Sequence, residues 1–371
     1  MSKQNVFILS GEASGDLHAA NLVRAWKKNS SKFEFQAWGG DRLAAEGVEL
    51  KKHIRDLAFM GFVEVLQNLP TILRNFKLCK QHIIEFQTDV LLLVDYPGFN
   101  LRMAKWAKSK GIKVIYYISP TVWAWKENRI HQIKRDVDRM YTILPFEPAF
   151  YRKFQMEVQY FGHPLLDEIE RFHQQKQIPL ALNSSKPILA ILPGSRKQEL
   201  KKKLPSMLNA ARAFRETHQI VVAGAPNLPA SFYDEFQLDE QVTLIQNQTY
   251  PLLSQADLAL VTSGTATLET ALFRVPQVVC YKSSSISYRI AKALVKIKFI
   301  SLVNLIMDKE VVRELIQQEC QSELMIQELQ KLRQGKEQRT EMLIAYDQLI
   351  TLLGAEGCSE KMAVDLIQYL N

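Results

Sequence analysis

The residues best suited to do chemistry stand just after short apolar runs. Asp95, in Asp95-Tyr96-Pro97-Gly98-Phe99-Asn100, follows Val90–Val94. A carboxylate at the carboxyl end of a strand can take a proton from an attacking hydroxyl when geometry and pKa suit. The same residue suits the plainer task of ordering a Pro-Gly turn, and the residues alone leave both readings open. Asn100 reads as the N-cap of the next helix. In Ser10-Gly11-Glu12-Ala13-Ser14-Gly15-Asp16, the glycines permit a tight turn and close backbone approach. A helix opening there would offer N–H groups to an anion. That makes Ser14, Gly15 and Asp16 candidate substrate contacts, with a plain capped turn through Ser14 or Asp16 as the alternative. The loop is not Gly-x-Gly-x-x-Gly and lacks a P-loop lysine.

Two further stretches are suited to phosphate. Leu192-Pro193-Gly194-Ser195-Arg196, with Glu199 following, brings a flexible glycine and a guanidinium fork to a strand end. In Thr262-Ser263-Gly264-Thr265-Ala266-Thr267-Leu268-Glu269, hydroxyls and amides of Ser263, Gly264 and Thr265 make a second cradle. Glu269, placed in the first helical turn, either accepts ribose hydroxyls or compensates the helix dipole. Trp123 and Trp125, in Ser119–Trp125, either stack on a sugar, line an acyl groove, or pack beneath their loop. His163, in Gly162-His163-Pro164, suits a functional, hinge or packing role. The seven histidines and four cysteines are scattered, with no His-Glu-x-x-His, no Asp-x-Asp pair and no Cys-x-x-Cys. No metal, structural zinc or disulfide framework is expected.

Strands must carry these loops. Val6–Ser10, Phe33–Trp38, Val90–Val94, Val114–Ile118 and Met140–Ile143 are apolar runs without strict alternation, as in strands buried on both faces. Helix-length segments separate them, beginning with an amphipathic stretch from about Leu17 to Lys28. After the polar stretch His173–Lys186, read as a linker, the pattern restarts at Pro187–Leu192, Gln219–Ala223, Val242–Ile245, Leu258–Val261 and Gln277–Tyr281. Alternating β and α predicts two doubly wound parallel sheets. From about Ile286 the spacing reads as helical, at Val311–Leu315, Leu324–Leu332, Met342–Leu353 and Lys361–Leu370. The expected division is 1–172, 173–345 and a helical segment 346–371 that packs on the first domain or a partner subunit. In open α/β sheets ligands sit beyond the carboxyl ends of the strands, where the motifs lie.

The chain has 371 residues, a length that favours two domains. It is 47% hydrophobic and 23% charged, ordinary for a globular protein, and its net charge of +8 favours anionic partners without choosing one. The run Val6–Leu9 is too short for a signal peptide. No uncharged apolar run approaches the ~20 residues of a membrane-spanning helix. Phe59–Lys80 combines apolar residues, among them Phe62, Leu66, Leu69 and Leu73, with Arg74, Lys77 and Lys80. Such a stretch is either a core helix, broken or started at Pro70, or one that lies on an anionic membrane surface.

Taken in order, the motifs resemble those of the lipid-A-disaccharide synthase family. They are Gly11–Asp16, Asp95–Asn100, Ser119–Trp125, Leu144-Pro145-Phe146-Glu147, Gly162-His163-Pro164, Leu192–Arg196 with Glu199, and Ser263–Glu269, spread over roughly residues 5 to 320. Ser301-Leu302-Val303-Asn304 is similar to a family Ser-Leu-Pro-Asn with Val303 in place of proline, and Lys309-Glu310-Val311-Val312 to a basic-Glu pattern. The resemblance implies a GT-B fold, two Rossmann-like domains facing a cleft. It implies an inverting, metal-free hexosyltransferase that joins UDP-2,3-diacylglucosamine to 2,3-diacylglucosamine 1-phosphate (lipid X). The products would be the β-1,6-linked lipid A disaccharide 1-phosphate and UDP; the UDP-sugar is a substrate and no cofactor is implied. Asp95 is then the candidate base. Ser14, Gly15, Asp16, Asn100, Trp123, Arg196, Ser263, Gly264, Thr265, Glu269, Asn304 and Glu310 are the candidate substrate contacts. The implied setting is the cytoplasmic face of the inner membrane of a Gram-negative bacterium, with the chain peripheral. It would be a monomer, or a homodimer with the option of exchanged C-terminal helices. An enzyme resembling UDP-N-acetylglucosamine 2-epimerase and a non-catalytic nucleotide-sugar-binding protein are the rival readings. Nucleic acid is not expected, because the lysines are dispersed and no recognised module appears.

Overall fold

The structure, a computed structural model, describes residues 3–57, 69–125, 127–175, 179–180, 182, 185–284, 288 and 297–371. It comprises two compact units. One is Met1–Asp167 with Ala355–Asn371, the other Glu168–Gly354. The first division therefore falls inside the helix Pro164–Gln174, a few residues before the polar stretch.

The first unit contains β1 (Gln4–Ser10), β2 (Phe33–Gly39), β3 (Glu49–His53), β4 (Val90–Val94), β5 (Lys113–Tyr117), β6 (Arg139–Thr142) and β7 (Gln159–Tyr160). These strands form one parallel sheet in the order β3-β2-β1-β4-β5-β6-β7. The central strands are apolar throughout because both faces are covered. Val6 and Ile8 enter one core cluster while Phe7 and Leu9 enter the other, and Val90, Leu92 and Val94 part from Leu91 and Leu93 in the same way. The C-terminal helix Cys358–Leu370 packs on the helix Ala13–Asn29 within this unit. Its Met362, Ala363, Leu366 and Leu370, spaced along one face, join the first cluster. Asp167 caps it, accepting from the backbone N–H groups of Gly357 at 2.7 Å, Cys358 at 3.1 Å and Ser359 at 2.8 Å.

The second unit contains β8 (Ile188–Leu192), β9 (Gln219–Gly224), β10 (Val242–Gln246), β11 (Ala256–Thr262), β12 (Gln277–Tyr281) and β13 (Arg313–Ile316). They too are parallel, in the order β10-β9-β8-β11-β12-β13. Here one expectation fails. Val311–Leu315 is not helical, because Arg313–Ile316 forms β13 and pairs with β12, Leu315 opposite Cys280. Apolar residues at that spacing suit either period, and the neighbouring β-branched Val311-Val312 and the open edge of β12 favour a strand. β3, whose Glu-Leu-Lys-Lys-His is the polar, charged composition of an edge strand, and the two-residue β7 carry no apolar run that would announce them.

The helix Leu69–Glu85 turns Phe76, Cys79 and Ile83 inward. Leu73 is 57% and Ile84 59% exposed. Phe62 and Leu66 lie outside the described residues. Among those described, no helix is long and apolar enough to cross a membrane.

Candidate active site

Both sheets reverse their winding at one place. In the first unit this falls between β1 and β4, where Ser10 stands opposite Val94. In the second it falls between β8 and β11, where Leu192 stands opposite Val261. Loops that diverge at such a switch point open a crevice for ligands. Four of the motifs lie on these four loops.

In the first unit the loops after β1 and β4 are pressed together. A Cβ on Gly11 would stand 2.3 Å from Cγ of Tyr96, so only glycine allows this approach. Asp95 and Tyr96 are both left-handed, with φ 47°, a conformation costly for residues with side chains. The surroundings fix them there. The Asp95 carbonyl accepts from Tyr116 Oη at 2.6 Å and Asn100 Nδ2 at 2.8 Å. Phe99 stacks on Phe76 at 4.2 Å and on Tyr96 at 5.7 Å. Strain held in place beside a titratable carboxyl is a mark of a functional site. Burial lifts the Asp95 pKa to about 6, and the neighbouring Glu12 carboxylate adds to the rise.

The other candidates of this unit have more structural surroundings. Asn100 is fully buried inside the helix Pro97–Ser109 rather than at its N-cap, which is Tyr96. Its amide braces the strand ends through Val94 and Asp95 carbonyls. Asp16 is 2% exposed and accepts from the N–H groups of Gly40 at 2.6 Å and Arg42 at 3.0 Å, so its carboxylate holds the loop after β2. The cap of the helix Ala13–Asn29 is Glu12, not Ser14 or Asp16. Ser14 is exposed, and Gly15 fits against Ser10 and Val94 where a Cβ would lie 3.0 Å from Ser10 Oγ.

Beyond β5, Ile118 is also left-handed at φ 64°, and the chain then turns through Ser119, bonded at 2.6 Å to Tyr151 Oη. Trp123 is partly buried; its Nε1 donates to Glu147 Oε1 at 3.3 Å and its ring meets Phe146 edge-on at 5.0 Å. Trp125 is 41% exposed, with Arg129 over its ring at 5.7 Å. Glu147 accepts from the N–H groups of Leu144 and Ile143 as well, and burial raises its pKa to about 7. Glu12 and Glu147 were both missed as individual residues, though each lies within a stretch already singled out. His163 is 1% exposed, its Nδ1 accepting from Leu165 N at 3.2 Å, which is a packing role.

In the second unit Gly194 takes φ +104° and Arg196 caps the helix Lys197–Arg212 from an exposed position, 3.3 Å from Glu199. Across the switch point Gly264, at φ +137°, caps the helix Thr265–Leu272. Ser263 Oγ donates to the Ile300 carbonyl at 2.9 Å, and Gly264 and Thr265 are exposed. Two glycine turns thus lead into two helix N-termini, the arrangement that receives phosphate oxygens. Glu269 lies in the second helical turn, not the first. Burial raises its pKa, and Tyr250 Oη donates to it at 3.0 Å. Asn304 is fully buried and braces a neighbouring loop. Its Nδ2 donates to the Val312 carbonyl and to Glu314, and its Oδ1 accepts from Val311 and Val312. Glu314, also missed, accepts from Ile300 and Ser301 N–H groups. Val303 sits at the second position of the helix Leu302–Met307, capped by Ser301. The first turn of a helix accepts proline as readily, so the exchange leaves the turn intact. Glu310 is exposed and pairs with Arg313 at 3.3 Å. Among the described residues, no three His, Cys, Asp or Glu side chains converge to hold a metal ion.

A family model described as lipid-A-disaccharide synthetase matches residues 6–367. A lipid-A-disaccharide synthase of Trichlorobacter lovleyi is 37% identical over 369 residues, covering 97% of this chain and 96% of its own. One of Myxococcus xanthus is 38% identical, covering 98% and 97%. Among solved structures, a glycotransferase of kitacinnamycin aligns with TM-score 0.68 at 16% identity, over 100% of this chain and 99% of its own. A UDP-GlcNAc 2-epimerase from Neisseria meningitidis bound to UDP-GlcNAc aligns with TM-score 0.66 at 13% identity, over 98% and 100%. The architecture is therefore of the GT-B type, shared by transferases and epimerases, and at these identities it speaks to fold alone. The sequence matches decide between them: the chain belongs to the lipid-A-disaccharide synthase family.

Proposed function

From membership of that family, we propose that the chain joins two acylated glucosamines as a hexosyltransferase of lipid A biosynthesis. It takes UDP-2,3-diacylglucosamine as donor and 2,3-diacylglucosamine 1-phosphate as acceptor. The observation that carries the reading is the division of labour between switch points: a strained, partly buried carboxyl at one, and two glycine turns with an arginine at the other.

Asp95 takes the proton from the acceptor's 6-hydroxyl as that oxygen attacks the anomeric carbon. The new C–O bond forms on the face opposite the bond that breaks, so the configuration inverts and the linkage is β-1,6. A base with pKa about 6 is ionised at neutral pH yet still basic enough to accept a proton. UDP leaves with negative charge on its diphosphate. Arg196 and the backbone at Ser263, Gly264 and Thr265 are the donors that meet it, since donors aimed at developing charge stabilise it. Glu269 takes the nucleotide's ribose, and Asn304 and Glu310 serve the donor through the loop that Asn304 braces. Trp123 and the turn at Ser14, Gly15 and Asp16 serve the acceptor. No metal or cofactor takes part.

The acyl chains require a lipid surface. The exposed Leu73 of the helix Leu69–Glu85 is the proposed contact with an anionic membrane, from the cytoplasmic side, as monomer or homodimer; in the sequence Phe62, Leu66, Leu69 and basic residues lie near it. Leu73→Glu should reduce flotation with anionic vesicles while leaving the melting temperature in place; unchanged flotation would remove this contact. The activity itself is tested by UDP release from UDP-2,3-diacylglucosamine in detergent micelles containing a chelator. Release should require 2,3-diacylglucosamine 1-phosphate. Equal release without acceptor would favour an epimerase-like or hydrolytic reaction, and none at all a binding protein.

A further inference from the structure

Lys203, on the helix Lys197–Arg212, is 1% exposed, a rare place for an ammonium group. Its Nζ touches Thr262 Oγ1 and lies 3.6 Å from Glu199 Oε2. Thr262 ends β11 and leads into Ser263-Gly264-Thr265. Glu199 reaches Arg196 with its other oxygen at 3.3 Å. Between them passes Gly194, where a Cβ would stand 3.3 Å from Thr262 Cγ2 and 3.5 Å from Glu199 Oε2. The lysine therefore touches the residue that leads into the second glycine turn and, on its own helix, the carboxylate that packs against Gly194 of the first. Replacing a buried ion pair by apolar residues of similar volume is often neutral or stabilising, so stability alone gives little reason for a charge here. Burial lowers the pKa of Lys203, and Glu199 opposes that fall.

We propose that Lys203 is a positioning residue of the donor site: it neutralises Glu199 and so keeps the charge of Arg196 available for the diphosphate, while its bond to Thr262 fixes the second glycine turn beside the first. The proposal rests on the reading of this unit as the one that binds UDP. Glu199 stands between two cations, and with both in place the trio retains one positive charge. Without Lys203, the carboxylate would be balanced by Arg196 alone, and the guanidinium would be drawn to Glu199 rather than to phosphate.

The test is calorimetric titration of UDP into the whole protein, with melting curves as the check on folding. Lys203→Met should weaken binding by about tenfold, some 1.4 kcal/mol. Adding Glu199→Gln should restore affinity to within about threefold, because the charge that Lys203 balanced is then gone; such coupling is what a double-mutant cycle reads. A packing role would not produce that rescue. Lys203→Gln keeps a polar head for Thr262 and, alone and with Glu199→Gln, carries the same comparison should the methionine variant fail to fold. Unchanged UDP affinity in the Lys203 variants, or a loss that Glu199→Gln leaves in place, would overturn the proposal. A wild-type chain that does not bind UDP would instead overturn the donor-site reading and take this proposal with it.

Discussion

Asp95 owes its basicity first to burial and then to Glu12. As the proposed base it must be ionised, so kcat/KM should fall about tenfold per pH unit below about pH 6 and level off above it. Glu12→Gln removes the nearby charge and should move that limb toward lower pH. A limb that stays in place would mean Glu12 exerts no charge on the base. Asp95→Asn should cost about 10² to 10⁴ in kcat, the usual worth of a positioned acid or base, with UDP affinity unaltered. Turnover at the wild-type rate would remove Asp95 from the mechanism. Asp16, Asn100 and Asn304 show what residue types alone do not reveal. Each is a polar residue in a motif, and each binds backbone groups of its own unit through its side chain.

At the scale of elements, the loop after β1 fits on the loop after β4 through Gly11 and Tyr96, next to Asp95. Gly11→Ala would drive a methyl group into the stem of the Tyr96 ring, which cannot rotate away because Phe99 stacks against it. A cost of about 1–3 kcal/mol in stability is expected, as for other overpacked sites. Gly98→Ala, with nothing within 4 Å of the new carbon, should leave stability within about 0.5 kcal/mol. Urea denaturation of the two variants tests the contrast, and equal midpoints would contradict it. Most of this framework is legible in the order of residues alone: nine apolar runs from Phe33 to Tyr281 fall on strands within a residue or two, since doubly covered parallel strands must be apolar throughout. What the sequence hides has physical causes. The edge strand β3 is polar because one side meets water. Residues 311–316 satisfy two periods at once, and an unpaired edge chooses between them. Glu12 and Glu147 became visible only when folding placed each beside its partners.

For the whole molecule, the scattered histidines gain meaning by burial. His18 and His163 lie in the first unit, at 3% and 1% exposure, and neither His18 Nδ1 nor His163 Nε2 has a hydrogen-bond partner among the described residues. Burial lowers their pKa values to about 4 and about 3. The unfolded chain takes up these protons near pH 6.5 while the folded chain does not, so stability is full above that pH and falls as the solution is acidified toward 4. Each group should remove about 2 kcal/mol by pH 5. His163→Asn should flatten the melting temperature against pH between 7 and 5; an unchanged slope would show that the histidine titrates freely in the folded state. The same plan is built twice, one sheet carrying the proposed base and the other the proposed phosphate donors, and the reaction proposed for the chain is the joining of two acylated glucosamines. The most direct test of that claim is the structure of the product formed from UDP-2,3-diacylglucosamine and 2,3-diacylglucosamine 1-phosphate, read by NMR at the new anomeric centre. A β-1,6-linked disaccharide whose formation slows about 10²- to 10⁴-fold with Asp95→Asn is the predicted result. An α linkage, a 2-epimerised UDP-sugar, or free diacylglucosamine in place of a disaccharide would contradict it.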